Sequence, residues 1–133
     1  MEWQENSKVL LISKNELLFK NISHDLLHLG FEAYHCNSIY SLSSIKSLNY
    51  YGFIVFDVDS HSDINTYIDL IDPTVIILLL MPKYSGNDPE NIRGREVFLV
   101  EKNADSKLLV RGLVDKIERT KYLGKILRTN NCW

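Results

Sequence analysis

The chain has few of the residues that define secreted, fibrous and membrane proteins. It contains two cysteines, three prolines and six glycines in 133 residues, too few for a disulfide framework or a collagen-like chain. Its longest apolar run, residues 75–81, has seven residues, whereas a membrane-spanning helix needs about 20. Glu2 and Glu5 stand where a secretory signal would carry Lys or Arg. We therefore expect a cytoplasmic protein with no membrane partner.

Charge is unevenly distributed along the chain. Residues 1–101 have 7 basic and 14 acidic side chains, residues 102–133 have 8 and 3, and the net charge is -2. The basic end could contact nucleic acid, an acidic partner or the acidic part of its own chain. Because phosphate-driven affinity needs clustered cations with little opposing charge, we expect no direct nucleic-acid binding.

Short apolar runs alternate with segments of helical spacing. The runs at residues 9–12, 53–56 and 75–80 are continuous, as in strands buried on both faces. Weaker runs at residues 31–36 and 97–100 are expected nearer the sheet edges. This order predicts one domain, a doubly wound five-stranded parallel sheet with helices on both faces.

Five helices are predicted between and after these strands. Asn15 can cap the first, Asn37 or Ser38 starts the second, and Ser62 can cap a short third. Residues 88–93 allow about two turns, and the last helix starts near Ala104. The apolar positions in helical spacing are Leu18, Ile22, Leu26 and Leu29, then Leu42, Ile45 and Leu48, then Ile64, Tyr67, Ile68 and Ile71, and finally Leu109, Val110, Leu113, Val114 and Ile117.

The predicted domain covers residues 8–120. Residues 1–7 are expected to be a flexible terminus, and residues 121–133 a helical extension or a linker and tail. In such a sheet, ligands bind beyond the carboxyl ends of the strands. The side chains expected at this edge include Ser13, Lys14 and Asp57.

Four strands resemble those of bacterial response-regulator receiver domains. The residues that carry this resemblance are residues 8–15 (KVLLISKN), 51–57 (YGFIVFD), 75–80 (VIILLL) and 97–101 (VFLVE). The resemblance implies the receiver (CheY-like/flavodoxin-like) fold. It also implies that Asp57 stands at the phosphoacceptor position.

The same alignment shows that much of the family's active site is missing. Ser13 and Lys14 replace the acidic pair that would hold Mg²⁺, and Leu79 replaces a hydroxyl residue. The family's lysine falls on Glu101, or on Lys102 if the strand slips by one. We favour Glu101, because a slip would exchange the faces of the strand. The aromatic switch position falls on Phe98, which has no hydroxyl.

These replacements predict that Asp57 is not phosphorylated. Mg²⁺ prefers carboxylate and other oxygen ligands, so no metal or cofactor is expected, and we expect Lys14 to pair with Asp57 instead. His24 and His28, four residues apart, have no zincin glutamate between them and are expected in surface or packing roles.

Further short segments resemble the N-terminal domain of FleQ-type flagellar master regulators, which are sigma-54-dependent activators. They are residues 10–12 (LLI), 26–30 (LLHLG), 36–38 (CNS), 75–79 (VIILL), 88–91 (DPEN), 108–113 (LLVRGL) and 119–122 (RTKY). The resemblance implies a non-enzymatic regulatory or dimerisation module acting through protein contacts. ATPase and DNA-binding domains would lie in the same or another polypeptide.

Two other functions remain open. A working phosphoacceptor receiver would use Asp57 with an unusual metal site. A flavodoxin-like binder of a small ligand would need a phosphate-binding loop, and the sequence contains no glycine-rich loop of this kind.

The end of the last helix carries a candidate dimerisation surface. Tyr122, Leu123, Ile126 and Leu127 fall on roughly the opposite face from the core stripe. We expect them to contact another copy of the chain in a homodimer. Alternatively, the helix bends at Gly124 and folds back on its own domain.

Overall fold

The computed structural model describes residues 7–38, 50–57, 64–65, 68–82 and 90–130, with side chains up to residue 120. Six strands, two helices and a short 3-10 helix can be bounded in this part, and Ile64 and Asn65 are helical as well. The strands are β1 (Lys8–Ile12), β2 (Glu32–Cys36), β3 (Phe53–Phe56), β4 (Ile76–Met81), β5 (Glu90–Ile92) and β6 (Arg95–Glu101). The helices are α1 (Glu16–His28), the 3-10 helix (Ile68–Leu70) and α2 (Ser106–Asn130). Neither helix is long and apolar enough to cross a membrane.

The strands form one sheet in the order β2-β1-β3-β4-β6-β5. The first five in this order pair in parallel, as predicted, and only β5 runs antiparallel to its neighbour. The non-sequential order places β1 between β2, which is an edge strand, and β3. The predicted doubly wound α/β fold is thus confirmed, with a sixth strand added at one edge.

The sixth strand corrects the predicted fourth helix. Residues 90–92, which we expected to be helical, form a hairpin with β6 through the turn at Arg93 and Gly94. Both turn residues have positive φ, 51° and 82°, as two-residue hairpin turns of type I′ require. The side-chain oxygen of Asn91 also accepts a hydrogen bond from the Gly94 N–H at 2.9 Å. The Arg-Gly pair therefore acts as a hairpin turn and not as the end of a helix.

Helix α1 begins and ends as the sequence predicts. The Asn15 side chain accepts a hydrogen bond from the Leu18 N–H at 3.0 Å, and Gly30 follows the helix with a φ of 92°. Of the predicted core face, Leu18, Ile22 and Leu26 are buried. Leu29 is 55% exposed, which corrects its assignment to the core, because it lies at the C-terminal cap where the helix has already ended.

Two pieces of the predicted third helix are described, of which Ile64 and Asn65 are helical and Ile68–Leu70 form the 3-10 helix. Ile64, Ile68 and Ile71 are buried as expected, which confirms the apolar pattern of this segment. Asn37 and Ser38 are described, but the residues of the helix that either of them would start lie outside the described part. The other residues of the two central predicted helices that lie outside the described part are Leu42, Ile45, Leu48, Ser62 and Tyr67.

The last helix begins at Ser106, two residues after the expected start. The Asp105 carboxylate accepts a hydrogen bond from the Lys107 N–H at 2.9 Å, which satisfies one of the free donors of the first turn. The buried face is as predicted, with Leu109, Leu113 and Ile117 each at most 1% exposed.

The core consists of two clusters, one on each face of the sheet. Successive strand residues point to opposite faces, and both faces are covered, which explains why the central strands read as continuous apolar runs. The cluster under α1 and α2 contains Val9, Leu11, Leu18, Ile22, Leu26, Phe31, Phe53, Val55, Leu78, Leu80, Val100, Leu109, Val110, Leu113 and Ile117. The opposite cluster contains Leu10, Ile12, Ile54, Phe56, Ile64, Ile68, Ile71, Val75, Ile77, Leu79 and Val97.

Arg95 connects the hairpin to the loop before β4. Its guanidinium donates to the carbonyl oxygens of Ile71 at 2.6 Å, Asp72 at 2.7 Å and Val75. Burial lowers the pKa of Arg95 from its ordinary value, and the nearby charge of Asp72 opposes that shift. The planar fork of donors suits this task better than a lysine ammonium, because one group satisfies three carbonyl oxygens.

The two glycines of the hairpin and the last helix give a matched pair of stability predictions. Gly94→Ala should lower the free energy of unfolding by about 1–2 kcal/mol, because an L-residue is strained at positive φ. Nothing lies within 4 Å of the added Cβ there, so backbone strain alone is measured. Gly112→Ala should raise it by up to about 1 kcal/mol, because alanine favours helix.

Urea unfolding of both variants checks these values. At Gly112 the added Cβ would be 3.4 Å from Val100 Cγ1, an ordinary contact. Equal effects of the two substitutions would contradict the turn assigned to Arg93 and Gly94.

Candidate functional site

The carboxyl ends of β1, β3 and β6 meet at Asp57. This residue directly follows β3, and its backbone N–H donates to the Ile12 carbonyl at 3.0 Å. The residue is 1% exposed. A carboxylate so deeply buried is costly unless charged or polar groups compensate it, so its partners define the site.

Ser13 is the first partner. Its hydroxyl donates to Asp57 Oδ2 at 2.6 Å and accepts from the Asn15 N–H at 3.0 Å. Ser13 is itself 0% exposed, and its N–H donates to the Cys36 carbonyl at 3.1 Å. The first residue after β1 is therefore bound to both neighbouring strands and to the start of α1.

Lys102 is the second partner and supplies the cation. Its Nζ lies 2.8 Å from Asp57 Oδ1 and 3.1 Å from Oδ2, with the lysine side chain 30% exposed and the aspartate side chain 2% exposed. The sequence favoured Lys14 for this role, but Lys14 is exposed. The assignment of the pairing cation to Lys14 is thus corrected to Lys102.

Glu101 does not take the lysine position either. It pairs with Met81 in the sheet and is exposed, whereas the next residue, Lys102, donates its N–H to the Met81 carbonyl at 2.6 Å. The sequence argument against Lys102 in the lysine position was that a one-residue slip of the strand would exchange its two faces. No slip is needed, because Lys102 lies just beyond β6, where its side chain reaches across to Asp57.

The other two predicted positions lie in or against the core. Leu79 is 3% exposed and belongs to the cluster on the face opposite α1, so an apolar side chain fills the place expected of a hydroxyl. Phe98 is partly buried and packs against the cluster beneath the two helices. Its ring has no hydroxyl that could hydrogen-bond as a switch.

His35 contacts the site through Ser13, and the sequence predicted only a surface or packing role for it. Its Nε2 lies 2.8 Å from the Ser13 carbonyl oxygen, and its ring stacks on Phe19 of α1 with centroids 5.1 Å apart. The alternation of side-chain directions along β2 could have indicated that His35 faces α1. The hydrogen bond to a residue 22 positions earlier could not have been found, because it depends on tertiary structure.

The described residues around Asp57 do not fit the Mg²⁺ site of a receiver. They contribute a hydroxyl from Ser13 and an ammonium from Lys102, whereas Mg²⁺ prefers carboxylates and waters. In the described part, no buried side-chain nitrogen or oxygen lacks a hydrogen-bond partner. No group of three or more His, Cys, Asp and Glu side chains in these residues could hold a metal ion.

A concave surface lies away from Asp57, between α1 and α2. This groove has a volume of about 440 Å³. Apolar residues line it beside charges of both signs, and its lining residues are Asp25, His28, Leu29, Lys107, Val110, Arg111, Val114 and Asp115.

The predicted dimerisation residues Tyr122, Leu123, Ile126 and Leu127 lie beyond the described side chains. The backbone of α2 is helical through these positions to Asn130.

This architecture is that of the receiver fold of response regulators. No protein-family model and no curated protein matches the chain, but solved structures share the fold. An orphan response regulator of H. pylori, HP1043, superposes with a TM-score of 0.61 at 17% identity, covering 86% of this chain and 98% of that one. The chemotaxis response regulator CheY4 of Vibrio cholerae also gives 0.61 at 17% identity, covering 84% and 98%.

The two lysines give a direct test of the site. Lys102→Met should lower the free energy of unfolding by about 3 kcal/mol, because removing one partner leaves a buried charge uncompensated. Lys14→Met, the matched control, should change it by less than about 1 kcal/mol, because an exposed ammonium contributes little. Urea unfolding at pH 7 measures both. A larger loss of unfolding free energy for Lys14→Met than for Lys102→Met would indicate that Lys14 is the cation paired with Asp57.

Proposed function

We propose that this chain is a regulatory receiver-like module that acts through protein contacts without phosphorylation of Asp57. The observation that carries the proposal is that Ser13, in place of an acidic residue at the end of β1, donates to the Asp57 carboxylate. Both oxygens of the carboxylate are engaged, and the groups that engage them are not metal ligands of the kind Mg²⁺ prefers.

Phosphoryl transfer to an aspartate requires positioning and neutralisation of the charge that develops on the phosphoryl oxygens. Lys102 takes the place that the resemblance gives to the family's lysine, so the other positions of the site distinguish this chain from a working receiver. Ser13 and the exposed Lys14 replace the acidic pair, and Leu79 offers no hydroxyl to an incoming phosphoryl group. These replacements support a module that remains in one state when phosphodonors are present.

We further propose that the module belongs to a cytoplasmic transcription regulator of flagellar genes that works with sigma-54 polymerase. The support is the likeness of segments such as residues 26–30 and residues 108–113 to FleQ-type regulators. ATPase and DNA-binding domains would then lie in the same or another polypeptide. Unchanged flagellar transcript levels in a strain without the gene would contradict this assignment.

The output that we propose is assembly into a homodimer through Tyr122, Leu123, Ile126 and Leu127. The support is the sequence pattern on α2, because an apolar stripe that the core does not use commonly contacts another chain. The core stripe ends near Ile117, which is fully buried, and the helical backbone continues beyond it to Asn130.

Phosphodonor titration tests the main proposal. Acetyl phosphate or beryllofluoride with Mg²⁺ should leave the amide chemical shifts of the wild-type protein unchanged, because Mg²⁺ is not bound at Asp57. The Asp57→Asn variant is the control for non-specific effects. Saturable shifts in the wild type that are lost in Asp57→Asn would favour the alternative, a working phosphoacceptor with an unusual metal site.

Light scattering after size exclusion tests the proposed dimer. The wild type should have the mass of a dimer at high concentration, and Leu123→Glu/Leu127→Glu should give a monomer, because charges on the stripe would have to be buried in the interface. Measurement at two concentrations separates assembly from an extended shape. A wild-type monomer at both concentrations would support a helix that folds back at Gly124.

A further inference from the structure

The exposed histidine pair on α1 has the geometry of a metal chelate. His24 and His28 lie one helical turn apart, and their Nε2 atoms are 3.0 Å from each other. Their rings are nearly perpendicular, with an interplanar angle of 86°. Without a metal, this contact is a hydrogen bond in which one ring donates its N–H and the other accepts.

The distance between the two nitrogens indicates which ion would fit. Imidazole nitrogens bind divalent ions such as Zn²⁺ at a distance of about 2.0–2.1 Å. Two such nitrogens are about 2.9 Å apart when they subtend 90° at the metal, and about 3.3 Å apart at a tetrahedral angle. The observed 3.0 Å is close to the right-angle value. Adjacent corners of a square-planar or tetragonal site are typical of Cu²⁺ and Ni²⁺.

We propose that His24 and His28 form a two-histidine site for a divalent transition-metal ion of tetragonal preference, with Cu²⁺ bound most tightly. The remaining positions around the ion are filled by water, since no third His, Cys, Asp or Glu completes a metal-binding group in the described residues. Copper exceeds both nickel and zinc in affinity for nitrogen ligands. The site lies on the exposed part of α1 and is separate from Asp57.

The helix makes such a site effective without a third protein ligand. Both histidines project from one regular helix whose apolar face is buried through Leu18, Ile22 and Leu26. Their spacing is therefore fixed before the metal arrives, which reduces the ordering cost of binding. The ion in turn stabilises the folded chain by mass action, because an unfolded chain does not hold the two rings together.

Titration of tag-free protein with Cu²⁺ alone tests the proposal, with calorimetry for affinity and electron paramagnetic resonance for the ligands. The wild type should bind one ion with nitrogen hyperfine structure from two imidazoles. Loss of an outer-shell partner weakens metal binding by roughly 10–100-fold. Because His28 is a direct ligand in this proposal, His28→Ala should weaken Cu²⁺ binding by more than that. Ni²⁺ and Zn²⁺ should bind more weakly than Cu²⁺.

A register control keeps the number of histidines constant. In Asn21→His/His24→Asn, the two rings lie seven residues apart, or about 10.5 Å along the helix, too far to share an ion. Asn21 and His24 are both exposed, and circular dichroism verifies that the helix content is retained. Equal Cu²⁺ affinity in this variant and the wild type would overturn the proposal, as would a wild type that binds no more tightly than His28→Ala.

Discussion

The buried carboxylate of Asp57 is the constraint on which this edge of the sheet depends. Its charge must be balanced within a few ångströms, and the chain does so with one hydroxyl and one ammonium from two other strand ends. Because Ser13 also contacts β2 and the start of α1 through its backbone and hydroxyl, one charge sets the relative positions of several elements. The same partners that compensate the buried charge therefore also fix the geometry of this edge of the sheet.

At the opposite end of the same sheet, a partly buried charge is compensated by backbone groups. There the positive group is the guanidinium of Arg95, and its partners are backbone carbonyls of the loop before β4. Backbone carbonyls that are removed from water need hydrogen-bond donors, and the guanidinium supplies them here. By contrast, the exposed pair of Arg93 with Asp69, at 2.9 Å, is screened by water and contributes little. Burial, more than the number of ion pairs, determines which of these contacts matter.

The sequence predicted what depends on local pattern and missed what depends on chain geometry in three dimensions. The positions of the central strands, the Asn15 cap and the buried face of α2 depend on local residue patterns, so the sequence predicts them. The hairpin at Gly94 was missed because a single Arg-Gly pair serves equally well as a helix end. Lys102 was not predicted to pair with Asp57, because a one-residue slip exchanges the faces of a strand. That rule applies inside a strand, whereas Lys102 lies just beyond the last paired residue of β6. At the site, Ser13 and Asp57 were found because they end apolar runs, whereas the contribution of His35 depends on a hydrogen bond across 22 residues.

The hairpin that replaces a helix at the sheet edge also has a kinetic consequence. Its strands β5 and β6 are joined by two residues, and hairpins of this kind close in about 1–10 μs. The parallel pairs must wait for longer loops, such as the one that brings Val9 beside Phe53. Non-local pairing slows folding because loop-closure entropy is lost before contacts form. We therefore expect the edge strand to pair with β6 before β4 does, so that Gly94 influences the order of folding events as well as the stability of the folded state.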